Sequence, residues 1–247
     1  MAGRNALITG GTGAIGRVIC EVLADAGYNV AANCHPSDQE NASKWLKTLN
    51  GSGERIHLEA FDAAEYDDSG LGVERAQDSI GPIDILINAA GITRDATLVK
   101  LEPENWSAVL RTNLDSVYNV TRRVVNGMME RRFGRVVNIS SVNGQRGQFG
   151  QANYSAAKAG IHGFTMAVAR EVARKGVTVN TVSPGYIESP LVHKVPESVR
   201  DQIREQIPVG RFGQPYEIAR AVLFLVDDAS GFITGEDLSV NGGFHMD

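Results

Sequence analysis

Short β-branched runs alternate with longer segments of helical period along almost the whole chain. Asn5–Thr9 is followed by Arg17–Ala26, Asn29–Asn33 by Glu40–Leu49, Ile56–Phe61 by Leu71–Ser79, and Ile83–Asn88 by Trp106–Glu130. The order continues with Arg135–Ser140, Tyr154–Arg174, Thr178–Val182, Pro215–Leu225 and a last strand near Asp237–Val240. Strand and helix in near-strict alternation predict a parallel sheet covered by helices on both faces. The runs Ile83–Ile87 and Arg135–Ile139 are largely apolar at consecutive positions, as strands buried from both sides must be. Right-handed crossovers then give an α/β, doubly wound parallel sheet of about seven strands in a single domain, 1–247. One segment breaks the rhythm: Glu188–Phe212 sets Pro190, Pro196 and Pro208 around a short charged helix. It follows a strand's carboxyl end and is expected to act as a substrate lid.

Composition narrows this picture. At 247 residues, 43% apolar and 21% charged, the chain suffices for one large domain and not for two. Its 24 basic and 29 acidic residues, with no long Lys/Arg block, argue against a nucleic-acid or anionic-membrane partner, whose contacts need clustered positive charge. Apolar stretches such as Ala221–Val226 fall far short of the roughly 18 residues a membrane span needs. The strand pattern begins within a few residues of Met1, so no secretory leader is expected and the protein is read as cytoplasmic. Cys20 and Cys34 alone make neither a disulfide framework nor a zinc site, and no metal is expected. Gly at 27 of 247 residues exceeds the usual roughly 7% and, without Pro enrichment, implies many tight strand-to-helix turns.

One such turn carries chemistry. Thr9-Gly10-Gly11-Thr12-Gly13-Ala14-Ile15-Gly16 lies between the first strand and the first helix. Glycines allow positive φ and let backbone N–H groups approach a pyrophosphate, which a helix N-terminus favours electrostatically. A Gly-rich turn alone could be purely structural; in this βαβ context it reads as nucleotide-binding. Other strand ends that can ring the same crevice are Asp62, Asn88-Ala89-Ala90-Gly91 and Ser183-Pro184-Gly185.

Ser141 follows the fifth strand, and Tyr154 and Lys158 stand four apart at the start of the next long helix. That spacing puts phenol and ammonium on one helical face. A nearby cation favours phenolate, so Lys158 is expected to bring the Tyr154 pKa down towards working pH. Ser141 can hydrogen-bond a substrate carbonyl oxygen on the same side. Tyr-x-x-x-Lys by itself is better read as a solvated pair at a helix start; the Gly-rich turn, Asn-Ala-Ala-Gly and the strand-end serine turn the reading towards catalysis.

Taken together, Thr9–Gly16, Asn88–Gly91, Asn113 in Thr112-Asn113-Leu114, Ser141, Tyr154-Ser155-Ala156-Ala157-Lys158 and Pro184-Gly185 resemble the short-chain dehydrogenase/reductase family over essentially the whole chain. The resemblance implies that Tyr154 protonates the carbonyl oxygen as hydride leaves a nicotinamide, that Ser141 holds that oxygen, that Lys158 binds the ribose hydroxyls and that Asn113 anchors a water relay. It further implies a cofactor site of Gly10, Gly11, Thr12, Gly13, Ile15, Gly16, Asn33, Asp62, Asn88, Gly91, Tyr154, Lys158, Pro184, Gly185 and Ile187, with Asp62 at the adenine and Ile187 backbone at the carboxamide. Ala14 departs from the family's glycine pattern and could tighten the pyrophosphate loop.

Within the family, Gly91–Asp95, Ser140–Gln145, Gly147–Gln151 and Asn241-Gly242-Gly243 most resemble the acetoacetyl-CoA reductases of polyhydroxybutyrate synthesis. That implies an acyl-CoA substrate, reduction of acetoacetyl-CoA to (R)-3-hydroxybutyryl-CoA, and an acyl and pantetheine path along Asp95, Lys100, Gln148, Phe149, Gln151 and Tyr186. Phe149 and Tyr186 are expected to turn away from solvent, since exposed aromatics gain little. A 3-oxoacyl-acyl-carrier-protein reductase shares the chemistry but needs a basic docking patch, for which Arg131, Arg132, Arg174 and Lys175 are the candidates. A non-catalytic nucleotide sensor of the same fold would not need all four of Asn113, Ser141, Tyr154 and Lys158. The resemblance also implies a homotetramer, with the apolar faces of Trp106–Glu130 and Tyr154–Arg174 as candidate contacts. For the cofactor, NADH or NADPH, local charge leans to NADH or dual use. No Lys or Arg occurs from Val18 to Ser43, and Asp38 and Glu40 would repel a 2′-phosphate, although Arg17 could swing towards one.

Overall fold

The computed structural model describes residues 3–49, 51–190 and 192–246. The strands are β1 (Asn5–Thr9), β2 (Asn29–Cys34), β3 (Ile56–Ala60), β4 (Ile85–Asn88), β5 (Gly134–Ile139), β6 (Val177–Pro184) and β7 (Asp237–Val240). They form one parallel sheet in the order β3-β2-β1-β4-β5-β6-β7, the doubly wound topology expected from the alternation. The helices are α1 (Ala14–Asp25), α2 (Gln39–Leu46), α3 (Tyr66–Ile80), α4 (Pro103–Leu110), α5 (Ser116–Arg131), α6 (Val142–Arg146), α7 (Ala152–Val172), α8 (Glu197–Gln206) and α9 (Pro215–Val226).

Alternation along each strand divides the core in two. Ile8, Ile85, Ile87 and Val137 pack under α1 and α9 with Ile19, Leu23, Ile218, Val222 and Leu225. Their sequence neighbours Leu7, Leu86 and Val136 face the other way, against Val73, Val120, Val124, Met128 and Val172 of α3, α5 and α7. Neighbours on opposite faces, all buried, explain why these strands carry no polar alternation. The chain winds one way from β1 to β3 and the other way from β4 to β7, so the crevice opens beyond the carboxyl ends of β1 and β4.

Three elements depart from the expected pattern. Trp106–Glu130 is not one helix: α4 and α5 are joined by a π-turn, Arg111–Asp115, whose extra residue re-aims Asn113. Helix α3 starts earlier than its apolar period, at Tyr66, because Asp67 and Asp68 favour a helix N-terminus without adding apolar signal. Helix α6 is one short turn, too brief to show a period, and Ser141 caps it by accepting from Asn143 N at 3.1 Å.

In the segment expected as a lid, α8 has no buried residue, and Arg200 and Arg204 pair with Glu197 along its surface. Both ends of that segment are pinned together, with Glu188 N donating to Gly213 O and Gly213 N to Tyr186 O. Leu191, inside it, lies outside the described residues. Among the described residues no helix is long and apolar enough to cross a membrane.

Candidate active site

The Gly-rich turn closes around its own backbone. Gly10 has φ +62°, and a Cβ there would lie 2.8 Å from Ala90 Cα; one at Gly16 would lie 2.1 Å from Gly10 O. Gly11 faces Ala32 of β2, whose Cα would stand 3.0 Å from an added Cβ, and Gly13 stands exposed at the N-cap of α1. That helix end has no side-chain cap and no acid in its first turn. Uncapped N–H groups on a glycine-lined helix end fit a pyrophosphate. Ala14 opens the helix from an exposed position, so its methyl does not disturb the packing of the turn, while Ile15 packs against the core below.

Asn33, expected in the cofactor site, is instead committed to the protein. Its Oδ1 accepts from Gly10 N at 3.1 Å and its Nδ2 donates to Phe61 O at 2.9 Å and Cys34 O at 3.0 Å. Buried at the end of β2, it shapes the glycine turn and presents no amide to the crevice. Asn88 is likewise internal: Nδ2 donates to Asn138 Oδ1 and Thr121 Oγ1, tying β4 to β5 and α5. Asp62 lies at the crevice edge, its Oδ1 accepting from Ala64 N and its Oδ2 3.7 Å from His35 Nε2. Thr12 Oγ1 is 3.4 Å from Asp38 Oδ2, which brings a carboxylate beside the turn, and Arg17 lies over Trp45. Pro184 ends β6, Gly185 packs against Asn241, and Ile187 is buried and bridged to Gly213.

The four residues expected to be catalytic converge. Ser141 and the half-buried Tyr154 are hydrogen-bonded, and the Lys158 Nζ lies 5.7 Å from the Tyr154 ring centre. Lys158 is buried, and its Nζ donates to Ile139 O at 2.8 Å. A Cβ on Gly91 would lie 3.4 Å from Asn113 Oδ1 and 3.7 Å from Lys158 Nζ, so all three border one space. Asn113 is wholly buried and locks Ile92 from both sides, accepting from its N at 2.8 Å and donating to its O at 2.9 Å. Its side chain thus holds the loop after β4.

Electrostatics correct one expectation. Burial pushes the Tyr154 phenol above its ordinary pKa, an effect that the Ser141 hydrogen bond opposes and the Asp95 carboxylate reinforces. Burial also lowers the Lys158 ammonium from 10.5 to about 8. Desolvation, not attraction between the pair, dominates both groups in the chain alone. A phenol held protonated is a proton donor ready for use near neutral pH.

Of the residues expected to meet the acyl group, Asp95, Lys100, Gln148, Phe149 and Gln151 fall on two loops joined by a bridge between Ala96 and Gln151, and Tyr186 follows β6. Gln151 Nε2 donates to Asp95 Oδ2 at 2.8 Å, and its Oε1 accepts from Asn143 Nδ2 at 3.0 Å, a polar chain leading back to the Ser141 cap. Tyr186 is half-buried and stacks edge-on against Phe244, as expected of an inward aromatic. Phe149 is not inward: it is 87% exposed, Lys100 is exposed as well, and Gln148 is half-buried.

Two contributors went unread in the sequence. The Ile139 carbonyl anchors Lys158, and Gly144 lets α6 touch α7: a Cβ there would stand 2.8 Å from the Lys158 carbonyl carbon and 2.9 Å from its Cβ. Gly144→Ala is expected to lower kcat about tenfold or more and destabilise the fold by about 1–3 kcal/mol, since backbone must move to admit the methyl. Steady-state kinetics and a thermal melt check this; a variant matching the parent in both shows that the contact is slack.

A parallel sheet with its crevice at the strand reversal, a glycine-lined helix end and a Ser–Tyr–Lys–Asn cluster defines a nucleotide-dependent oxidoreductase. The chain belongs to the short-chain dehydrogenase/reductase family, whose members use a nicotinamide cofactor. A family profile described as "Enoyl-(Acyl carrier protein) reductase" matches residues 11–245. The chain is 55% identical to an acetoacetyl-CoA reductase of Allochromatium vinosum over 98% of its own length and 99% of the relative's. It is 50% identical to an acetoacetyl-CoA reductase of Cupriavidus necator over the full length of both. A 3-oxoacyl-[acyl-carrier-protein] reductase of Vibrio cholerae is 42% identical over 100% of this chain and 99% of its own.

Proposed function

We propose that this chain reduces acetoacetyl-CoA to (R)-3-hydroxybutyryl-CoA, in the cytoplasm, as a homotetrameric enzyme of polyhydroxybutyrate synthesis. The observation that carries the reading is full-length similarity of 50–55% to acetoacetyl-CoA reductases, joined to the convergence of Ser141, Tyr154, Lys158 and Asn113. A reduced nicotinamide, when bound, supplies hydride to the carbonyl carbon. Tyr154 gives its phenolic proton to the carbonyl oxygen, and Ser141 holds that oxygen by a hydrogen bond. Lys158 binds the ribose hydroxyls and re-supplies charge balance beside the phenol. The turn at Gly10–Gly16 takes the pyrophosphate, Asp62 the adenine edge, Gly91, Pro184 and Gly185 the walls, and backbone at Ile187 the carboxamide. Asp95, Gln148, Phe149, Gln151 and Tyr186 line the acyl and pantetheine path, with Lys100 outermost. The exposed Phe149 gains its burial when the thioester docks. The 188–212 segment closes over the substrate about its pinned ends, Tyr186–Glu188 and Gly213.

Exposed Trp106, Tyr118 and Met166 on α4, α5 and α7 support subunit contacts on those helices. The rival carrier-protein reading is favoured by the Vibrio relative. Against it, Arg131 is occupied by Ile83 O and Asp84. Arg132, Arg174 and Lys175 cluster before the amino ends of β5 and β6, at the far edge of the same subunit from Tyr154.

For the cofactor, we propose use of NADH at least as well as NADPH. Asp38 brings a carboxylate within 3.4 Å of Thr12 in the turn, where a 2′-phosphate would meet it unfavourably. One kinetic matrix tests both readings: kcat/KM for acetoacetyl-CoA and acetoacetyl-carrier protein, each with NADH and NADPH. The CoA thioester is expected to win. A clear preference for the carrier protein overturns the substrate reading, and a preference for NADPH beyond about a hundredfold, some 2.7 kcal/mol, overturns the cofactor reading.

A further inference from the structure

A second polar cluster lies directly beneath the site, and the proposed reaction does not use it. His162, one helical turn beyond Lys158 on α7, sets Nε2 2.7 Å from Ser140 Oγ and Nδ1 3.4 Å from Asp237 Oδ2 on β7. Asp237 in turn accepts from Ser183 Oγ at 2.6 Å and from Gln145 Nε2 at 2.9 Å. The Ser–His–Asp connectivity is that of a hydrolytic triad. Its serine is not a nucleophile, however, because Ser140 is 3% exposed and its hydroxyl donates to Lys158 O at 2.8 Å.

Counting protons gives the cluster a direction. Ser140 has one proton and gives it to the Lys158 carbonyl, so its oxygen can only accept from His162 Nε2. The carboxylate of Asp237 lies 3.4 Å from Nδ1. The ring therefore bridges β7 to the end of β5. Meanwhile Ile139 and Ser140, consecutive at that strand end, hold Lys158 twice: the carbonyl of Ile139 takes its Nζ and the hydroxyl of Ser140 takes its backbone oxygen. The next residue is Ser141. The placement of Lys158 relative to Ser141 thus runs through Ser140, and Ser140 is oriented by His162.

We propose that His162 and Asp237 are positioning residues for the reaction: the imidazole, held by Asp237, fixes Ser140, which clamps the Lys158 main chain to the strand end that carries Ser141. The proposal rests on the reading of Ser141, Tyr154 and Lys158 as the reacting site. The other titratable groups around the ring are Glu236 and His245, which line the same cavity as His162 and Asp237.

The test uses the full-length enzyme and four variants, His162→Leu, His162→Gln, Ser140→Ala and Asp237→Asn. His162→Leu and Ser140→Ala are each expected to lower kcat between about ten- and a hundredfold, the size of loss that a small misplacement of reacting groups causes. KM for acetoacetyl-CoA and the Kd for NADH by fluorescence titration stay within about threefold, because neither residue borders the crevice. The double variant carrying both His162→Leu and Ser140→Ala loses no more than Ser140→Ala alone, since the histidine acts through the hydroxyl that Ser140→Ala already removes. His162→Gln, which keeps a donor towards Ser140, returns kcat to within about threefold of the parent, and Asp237→Asn falls between. The pH profile of kcat is displaced in the His162→Leu and Ser140→Ala enzymes and restored in His162→Gln. Unchanged kcat in a variant whose Tm has fallen, or equal damage from His162→Leu and His162→Gln, overturns the proposal. Should His162→Leu fail to fold, Ser140→Ala, which removes a single oxygen, decides it. Tyr154→Phe is run alongside: if it retains turnover the site reading fails, whereas a dead Tyr154→Phe beside a fully active Ser140→Ala defeats only the positioning role.

Discussion

Tyr154→Phe is expected to lose about 10²–10⁴-fold in kcat for reduction, the usual contribution of a general acid, while Kd for the nicotinamide cofactor stays within a few-fold. The change removes one oxygen and keeps the ring, whose packing is the larger part of the side chain. The phenol is the group whose environment suits proton donation. Burial holds its pKa above the ordinary value, so it stays protonated through neutral pH, and the hydrogen bond with Ser141 places it beside the oxygen holder. Because the acid form is the active one, reduction is expected to be flat with pH on the neutral side and to fall at alkaline pH, first as the Lys158 ammonium loses its proton near 8 and then as the phenol ionises. Near-parental turnover in a cleanly folded Phe variant is incompatible with the assigned role.

The architecture was legible because its signal is local. Ile85, Leu86 and Ile87 are apolar in succession, and only a strand covered on both faces buries all three. The site was legible where residues sit at strand ends or at helical spacing, as Ser141, Tyr154 and Lys158 do. What escaped depends on which ends meet in space. Asn33 reads as a polar residue at a nucleotide-binding strand end, yet β1 and β3 flank it and supply an N–H and carbonyls that satisfy its amide fully. The π-turn at Asn113 has no composition of its own, and the rise in the Tyr154 pKa follows from burial, which spacing does not report. His162 reads as an ordinary helix residue, because Asp237, its partner, lies 75 positions further along the chain.

Lys158→Met is expected to abolish useful turnover, by about 10²-fold or more in kcat/KM, and at the same time to make the free enzyme more stable near neutral pH. The ammonium is buried, and its pKa falls from 10.5 to about 8, which corresponds to about 3 kcal/mol set against the fold while the group is charged. Removing it also strips the Ile139 carbonyl of its partner, a loss of about 1–3 kcal/mol. The apolar side chain of similar length therefore leaves a net gain of about 1 kcal/mol, or some 2–4 °C in Tm for a chain of this size. The gain has a definite pH signature. Between pH 8 and 10.5 the unfolded parent chain holds the proton that the folded one has released, so the parent's stability from this group rises with pH across that window. Below pH 8 the penalty is fully present. The Tm advantage of the Met variant should thus be largest at pH 7 and shrink by pH 9.5. A Met variant less stable than the parent at pH 7, or an advantage that does not change with pH, would show that the buried ammonium is stabilised by more than the Ile139 carbonyl.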